Sequence, residues 1–239
     1  MSRLPLFAMV CLLSPQALSQ IVTPQFTVET AGQYNYSSCQ SYALSAALAF
    51  KRDVRWPINS AHQLRLAEED LRKRIIDKAP KDQNGKPDVQ HGHIIAAFAE
   101  YTGGAYVVKQ KYYKDIPALD DAIAQRTGVT DAKYVGTGFL LGAVVKDVLV
   151  ASVTRIGDKT YAQGHLVTFL GVDGPPSSER RYLVLNSAVS VDGQNVLTCQ
   201  EGIPDKPGPY RGLVSWVLVK DIVFKQDGNG ILSWRVEAK

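Results

Sequence analysis

The hydrophobic pattern changes its period about halfway along this chain of 239 residues, and that change limits the fold more than any other feature. Apolar residues recur at helical spacing in the first half, whereas the second half contains short β-rich runs separated by Gly, Asp and Pro. Helices followed by antiparallel strands are typical of the α+β class. At this length we expect one domain, which can comprise two lobes.

Four helices are predicted in the first half of the chain. The first begins at Cys39 or its neighbour and runs to Phe50, and it is apolar almost all round, as a buried helix is. The second follows a capping Ser60. The apolar face of this second helix carries Leu64, Ala67, Leu71 and Ile75. The third helix is predicted at His93–Tyr101, ended by Gly103-Gly104, and the fourth at Ile116–Gln125.

Five strands are predicted in the second half. Turn signals at 157–158, 173–176 and 227–230 separate the β-rich runs. The predicted strands are 147–154, 165–171, 181–186, 214–224 and 231–236.

The first nineteen residues have the pattern of a secretory signal. Arg3 precedes an apolar run at 4–13, and Ala17-Leu18-Ser19 places small residues where a signal peptidase reads. We therefore expect a signal peptide over 1–19 and a mature, exported domain over 20–239, periplasmic or secreted. The apolar run is too short to remain as a membrane span. A buried N-terminal strand is the alternative.

Export changes how the cysteines are interpreted, since only Cys39 and Cys199 remain after cleavage. Two cysteines in an oxidising compartment commonly form a disulfide. The sequon Asn35-Tyr36-Ser37 lies four residues before Cys39, so a glycan attached there would cover Cys39. If Cys39 is functional, a bacterial exported protein is therefore favoured over a eukaryotic one.

Four residues form a candidate catalytic constellation. A nucleophilic thiol is activated by a helix N-terminus and an imidazole, and Cys39 begins a helix while His165 opens a later strand. Asn186 closes the next strand, so an antiparallel hairpin would place it beside His165, where it can orient the ring. Gln33, six residues before Cys39, can place a side-chain N–H beside the Cys39 amide as an oxyanion hole.

These segments resemble those of papain-like cysteine peptidases. Gln33 precedes Cys39 by six residues and Tyr42 follows it by three, while 164–172 and 182–187 are similar to the family's histidine and asparagine strands. His165 lies 126 residues after Cys39 and Asn186 lies 147 after it, close to the family spacing of about 130–150. The resemblance implies peptide-bond hydrolysis, a helical N-terminal lobe with the nucleophile helix and an antiparallel C-terminal β lobe.

Departures from the family pattern indicate a divergent bacterial branch, near the bacteriocin-processing peptidases, which usually carry Asp as the orienting residue. Gln40 replaces the Trp that usually follows the nucleophile, and Ser37-Ser38 replaces a Gly-Ser pair. Ala188 stands where the family often has a Trp that shields the His–Asn contact. We therefore expect water to compete for the amide of Asn186.

Several alternatives stay open at this stage. Cys39 could be inert or joined to Cys199 in a non-catalytic binding module, or the fold could carry a cell-wall amidase or a deamidating or acyl-transferring toxin. His91-Gly92-His93 lacks a completing ligand cluster and is expected at the surface, so we predict neither a metal nor a cofactor. Tyr112-Tyr113, Trp216 and Trp234 are expected in the core or a cleft wall.

The expected partner is a protein or peptide substrate. The net charge of +4 is spread over interspersed acidic and basic residues, which does not favour nucleic acid. The sequence carries no signal for an oligomeric state.

Overall fold

The structure, a computed structural model, describes residues 32–33, 38–51, 53–58, 61–127, 148–190, 196–197 and 210–239. These residues form four helices and one antiparallel-dominated sheet, so the α+β prediction is confirmed. The helices are α1 (Cys39–Ala49), α2 (Ala61–Lys78), α3 (His91–Tyr101) and α4 (Ile116–Thr127). The strands are β1 (Tyr106–Tyr113), β2 (Leu149–Ile156), β3 (Lys159–Asp173), β4 (Arg181–Ser190), β5 (Val196–Leu197), β6 (Tyr210–Leu218), β7 (Ile222–Phe224), β8 (Gln226–Asp227) and β9 (Gly230–Ala238).

Helix α1 begins at Cys39, as predicted, and lies at the centre of the helical layer. Every residue of α1 except Gln40 is buried, because the helix packs against α2 and α3 on one side and against β2, β3, β4 and β9 on the other. A helix enclosed in this way needs apolar or small residues on all faces, which explains the run from Ala43 to Ala49. The chain thus places Cys39 in the interior of the protein.

Helices α2 and α3 cover α1, and their boundaries lie close to the predicted ones. The predicted apolar face of α2 is buried, while its capping Ser60 lies outside the described residues. Helix α3 begins two residues earlier than predicted, because the backbone N–H of Gln90 donates to Nδ1 of His93 and closes the first turn. Gly103 and Gly104 end it with φ of 55° and 78°, values that favour glycine. None of the helices described is both long enough and apolar enough to cross a membrane.

The sheet has the strand order β1-β9-β2-β3-β4-β6, with the three short strands attached beside it. Its central strands are buried on both faces. Val150 and Leu183 face the core beneath α1–α3, whereas the adjacent Leu149 and Val184 join a second core closed by α4. Burial on both faces accounts for the nearly unbroken apolar runs in β2, β3 and β4.

A bulge in β3 interrupts its pairing with β2 directly before His165. Thr160 pairs with Arg155 and His165 pairs with Val153, so residues 161–164 of β3 lie opposite Thr154 alone. Gly164 sits in this bulge at φ 88°, in the left-handed region. The bulge takes the four residues before His165 out of the regular pairing with β2.

The structure contains three strands that sequence reasoning omitted, the long β1 and the two-residue β5 and β8, and it divides another that was predicted as continuous. Strand β1 pairs along its full length with β9, the last strand of the chain, so this partner lies more than a hundred residues away. The predicted strand 214–224 is instead β6, a 3-10 turn and β7, because β6 pairs with β4 whereas β7 pairs with β2. The 3-10 turn carries the chain from one strand partner to the other.

Burial of the α2 face gives a direct test of this packing. Leu71 is fully buried, and Leu66 on the same helix is 52% exposed. Leu71→Ala should lower the free energy of unfolding by about 2–5 kcal/mol, because it removes buried methyl groups and leaves a cavity. Leu66→Ala should change it by less than about 0.5 kcal/mol. Urea unfolding followed by circular dichroism measures both, and equal losses would contradict the packing of α2 on α1.

Candidate active site

Cys39 is buried at the first turn of α1, with 3% of its surface exposed. Its thiol donates to Oε1 of Gln40 at 3.5 Å. The positive end of the helix dipole lies at this turn, and such a position favours the thiolate over the thiol. The local sequence therefore places Cys39 where a thiol nucleophile can be activated.

A buried carboxylate ties the start of α1 to α2. Ser38 occupies the N-cap position, but its hydroxyl makes no capping hydrogen bond and instead donates to Oε1 of Glu68. Glu68 is 1% exposed. The pKa of the neighbouring Tyr42 is raised, first by the burial of Tyr42 itself and second by the negative charge of Glu68. The Ser38–Glu68 contact fixes the residue directly before Cys39.

His165 and Asn186 are hydrogen-bonded neighbours, as the hairpin interpretation predicts. Nε2 of His165 lies 2.9 Å from Oδ1 of Asn186, and both side chains are buried. Their strands are longer than predicted, so His165 lies inside β3 and Asn186 inside β4 rather than at a strand end. The two residues meet nevertheless, because β3 and β4 pair antiparallel just beyond them.

The hydrogen bonds around Asn186 define which ring nitrogen of His165 carries the proton. The backbone N–H of Ala188 can only donate, and it lies 3.0 Å from the Asn186 atom assigned as Oδ1. That atom is therefore the amide oxygen, and Nε2 of His165 must donate to it. In the neutral ring Nδ1 is then the acceptor nitrogen, the one able to take a proton from a thiol.

The His165–Asn186 contact is covered by an aromatic ring from the β3 bulge. The ring of Tyr161 stacks on the imidazole of His165, with 4.4 Å between centroids and 21° between planes. The exposed fractions are 1% for His165 and 5% for Asn186. The expectation that water competes for the amide is therefore wrong. The shielding that Ala188 on β4 does not give comes from the ring of Tyr161 on β3.

Gln33 is buried next to this pair rather than isolated in a loop. Its backbone N–H donates to the carbonyl of Ser187 at 2.9 Å, and the Ser187 hydroxyl donates to its Oε1 at 2.8 Å. Ser187 directly follows Asn186, so β4 holds Asn186 and Gln33 together. These two contacts hold Gln33 against β4.

Cys39 and His165 line one cavity of about 660 Å³. Its apolar wall includes Trp234, whose ring meets His91 edge-on with 5.5 Å between centroids. His91 reaches the surface, as predicted, yet it also belongs to the cavity wall, where partial desolvation and the positive charge of Lys225 lower its pKa. A cavity of this size lies within the range of pockets that bind small molecules.

The cavity rim beside His165 carries charged groups. Lys225 donates from Nζ to the carbonyl of Gln163 at 2.9 Å, and its chain crosses Gly164 so closely that a Cβ there would lie 2.7 Å from Cδ. Asp227 lines the same cavity. The absence of a side chain at Gly164 thus leaves the space that the Lys225 side chain occupies.

Three expectations lie outside the described residues. Cys199 belongs to the undescribed range 198–209, and the signal peptide and the sequon at Asn35 fall in the undescribed N-terminal ranges. Among the described residues, Cys39 forms no disulfide.

Sequence reasoning missed Glu68 and Tyr161. Glu68 lies three residues before Leu71 and four after Leu64, so helical spacing already places it on the buried face of α2. Nothing in the sequence of β3 signals Tyr161, because only the bulge brings its ring over His165.

Comparisons with known protein families, with curated proteins and with solved structures found no match. The function is therefore inferred from the geometry of the site.

The hydrogen-bond chain predicts the tautomer of His165. In Cys39→Ala protein at a pH where the ring is neutral, the proton should reside on Nε2, since Asn186 Oδ1 accepts it. Long-range ¹H–¹⁵N correlation spectra of the imidazole distinguish the two tautomers. Asn186→Ala should give a mixture of both. A neutral ring with its proton on Nδ1 would contradict the assigned sense of the Asn186 amide.

Proposed function

We propose that the protein is an exported, papain-like cysteine peptidase that hydrolyses peptide bonds. The observation that carries the proposal is that one cavity is lined both by Cys39, at the N-terminus of a buried helix, and by His165, which is hydrogen-bonded to Asn186. The papain-like two-lobed arrangement is part of the proposal. Helices α1–α3 would form one lobe and the sheet the other, with the cavity between them.

The proposed reaction proceeds through a thioester. Nδ1 of His165 takes the thiol proton, and the thiolate of Cys39 attacks the carbonyl carbon of the substrate. The imidazolium returns the proton to the amine as the C–N bond breaks, leaving the acyl group on the sulfur. His165 then takes a proton from water, whose oxygen attacks the thioester carbon. The C–S bond breaks, the carboxylic acid leaves, and the proton on His165 returns to the sulfur of Cys39.

Supporting groups act on different species in this reaction. Asn186 would orient the ring and stabilise the imidazolium through the hydrogen bond to Nε2. The amide N–H of Gln33 and the backbone N–H of Cys39 would hold the oxygen of the tetrahedral intermediate. Ser187 supports this role for Gln33, since its hydrogen bond identifies Oε1 as the acceptor end of the amide and holds Gln33 beside Asn186.

The proposal is tested by incubating the mature protein with a proteome-derived peptide library and identifying new termini by mass spectrometry. We expect cleavage that Cys39→Ala and His165→Ala both abolish. Parallel incubation with purified muropeptides tests the amidase alternative, and ammonia release from glutamine-containing proteins tests the deamidase alternative. Turnover of muropeptides or release of ammonia, without peptide cleavage, would contradict the peptidase proposal and assign the same catalytic residues to an amidase or a deamidase. Cleavage by Cys39→Ala protein would contradict the proposal.

Gln33 gives the second test, on the best peptide found. Gln33→Ala should lower kcat by about 10²–10³, as the loss of an oxyanion donor does. Alkylation of Cys39 by iodoacetamide should change little, since alkylation forms no oxyanion. Gln83→Ala, in the exposed loop after α2, is the matched control and should retain wild-type kcat. A Gln33→Ala enzyme within about twofold of wild-type kcat would remove Gln33 from the mechanism.

A further inference from the structure

Tyr161 contacts the candidate site through both its ring and its hydroxyl. Its ring stacks on the imidazole of His165, and its hydroxyl accepts a hydrogen bond from Nδ2 of Asn186 at 2.6 Å. The same hydroxyl donates to the carbonyl of Ala188 at 3.1 Å. Only 1% of Tyr161 is exposed, so all of these contacts lie away from bulk water.

The hydroxyl fixes the orientation of the Asn186 amide. A carbonyl oxygen can only accept, so the single proton of the Tyr161 hydroxyl must point to Ala188. The lone pairs of the hydroxyl then face Asn186, and only the NH₂ end of the amide can satisfy them. At the opposite end, the N–H of Ala188 requires the amide oxygen. A reversed amide would lose both contacts and present its NH₂ group to Nε2 of His165.

The ring acts on the imidazole directly. At 4.4 Å between centroids the two rings are in stacking contact, which limits rotation of His165 about its Cβ–Cγ bond. The imidazolium that forms during the proposed reaction would lie over the face of an aromatic ring, where a cation is stabilised. The ring also excludes water from the Nε2–Oδ1 hydrogen bond.

We propose that Tyr161 is a positioning residue, which sets the amide sense of Asn186 and the ring plane of His165. This inference rests on the proposed function for its effect on turnover. Its effect on the His165–Asn186 geometry is independent of which reaction the site performs. The structural requirement is the β3 bulge, which brings Tyr161 over a residue of its own strand.

The test compares two variants of Tyr161 with a matched control. Tyr161→Phe keeps the ring and removes the hydroxyl, so the amide of Asn186 can reverse. We expect kcat to fall about tenfold, within the range that one unsatisfied buried polar group produces, while KM stays within about twofold. Tyr161→Leu also removes the stacking and should lower kcat further.

Tyr182→Phe is the control. Tyr182 is also fully buried and its hydroxyl donates to Asp120 at 2.7 Å, in the second core that α4 closes. Its loss should reduce stability and leave kcat unchanged. A larger drop in kcat for Tyr161→Phe at comparable loss of stability therefore reports positioning.

The tautomer of His165 supplies a readout that needs no substrate. In the Cys39→Ala background, Tyr161→Phe should populate the Nδ1–H form beside the Nε2–H form, whereas Tyr182→Phe should retain Nε2–H alone. If Tyr161→Phe keeps wild-type kcat and a pure Nε2–H ring, Tyr161 is a packing residue only and the inference is overturned. If no variant or wild type cleaves any substrate, the proposed function fails, and the tautomer alone decides the role of Tyr161.

Discussion

The enclosure of α1 between the other helices and the sheet is the constraint on which the rest of the structure depends. Because α1 is packed on all sides, its position is fixed by its neighbours, and the position of Cys39 at its first turn is fixed with it. Glu68 and Ser38 fix the start of that helix by a polar contact within the apolar layer. Because β3 and β4 pack on the same helix, the residues that face Cys39 from the sheet are set by strand register.

The polar groups of the site are held by one another rather than by solvent. From Tyr161 through Asn186 to His165 each donor meets an acceptor, and Ala188 closes the chain with both its N–H and its carbonyl. Buried polar groups are costly when unsatisfied, so such a chain has few alternative arrangements. The proposed reaction needs this order, since the imidazole must keep one tautomer while its other nitrogen exchanges a proton.

The sequence was sufficient to predict features that depend on local pattern. Helical spacing placed the apolar face of α2 correctly, and the apolar run after Cys39 predicted a buried helix from its first residue. The pairing of His165 with Asn186 followed from two β-rich runs and the turn between them. Features set by distant pairing were not accessible: β1 finds its partner only in β9, and Tyr161 reaches His165 only through a bulge. Glu68 was accessible from its spacing, but a carboxylate on an apolar helix face is ordinarily assigned to solvent.

The central claim is that His165 activates the thiol of Cys39, and the rate of thiol alkylation tests it most directly. The native protein is treated with iodoacetamide at a pH of about 6, where an ordinary thiol is almost wholly protonated, and modification of Cys39 and Cys199 is followed by peptide mass. The account predicts that Cys39 reacts at least about tenfold faster than Cys199 and that His165→Ala removes this difference. Equal rates for the two cysteines, or a Cys39 rate unaffected by His165→Ala, would contradict it.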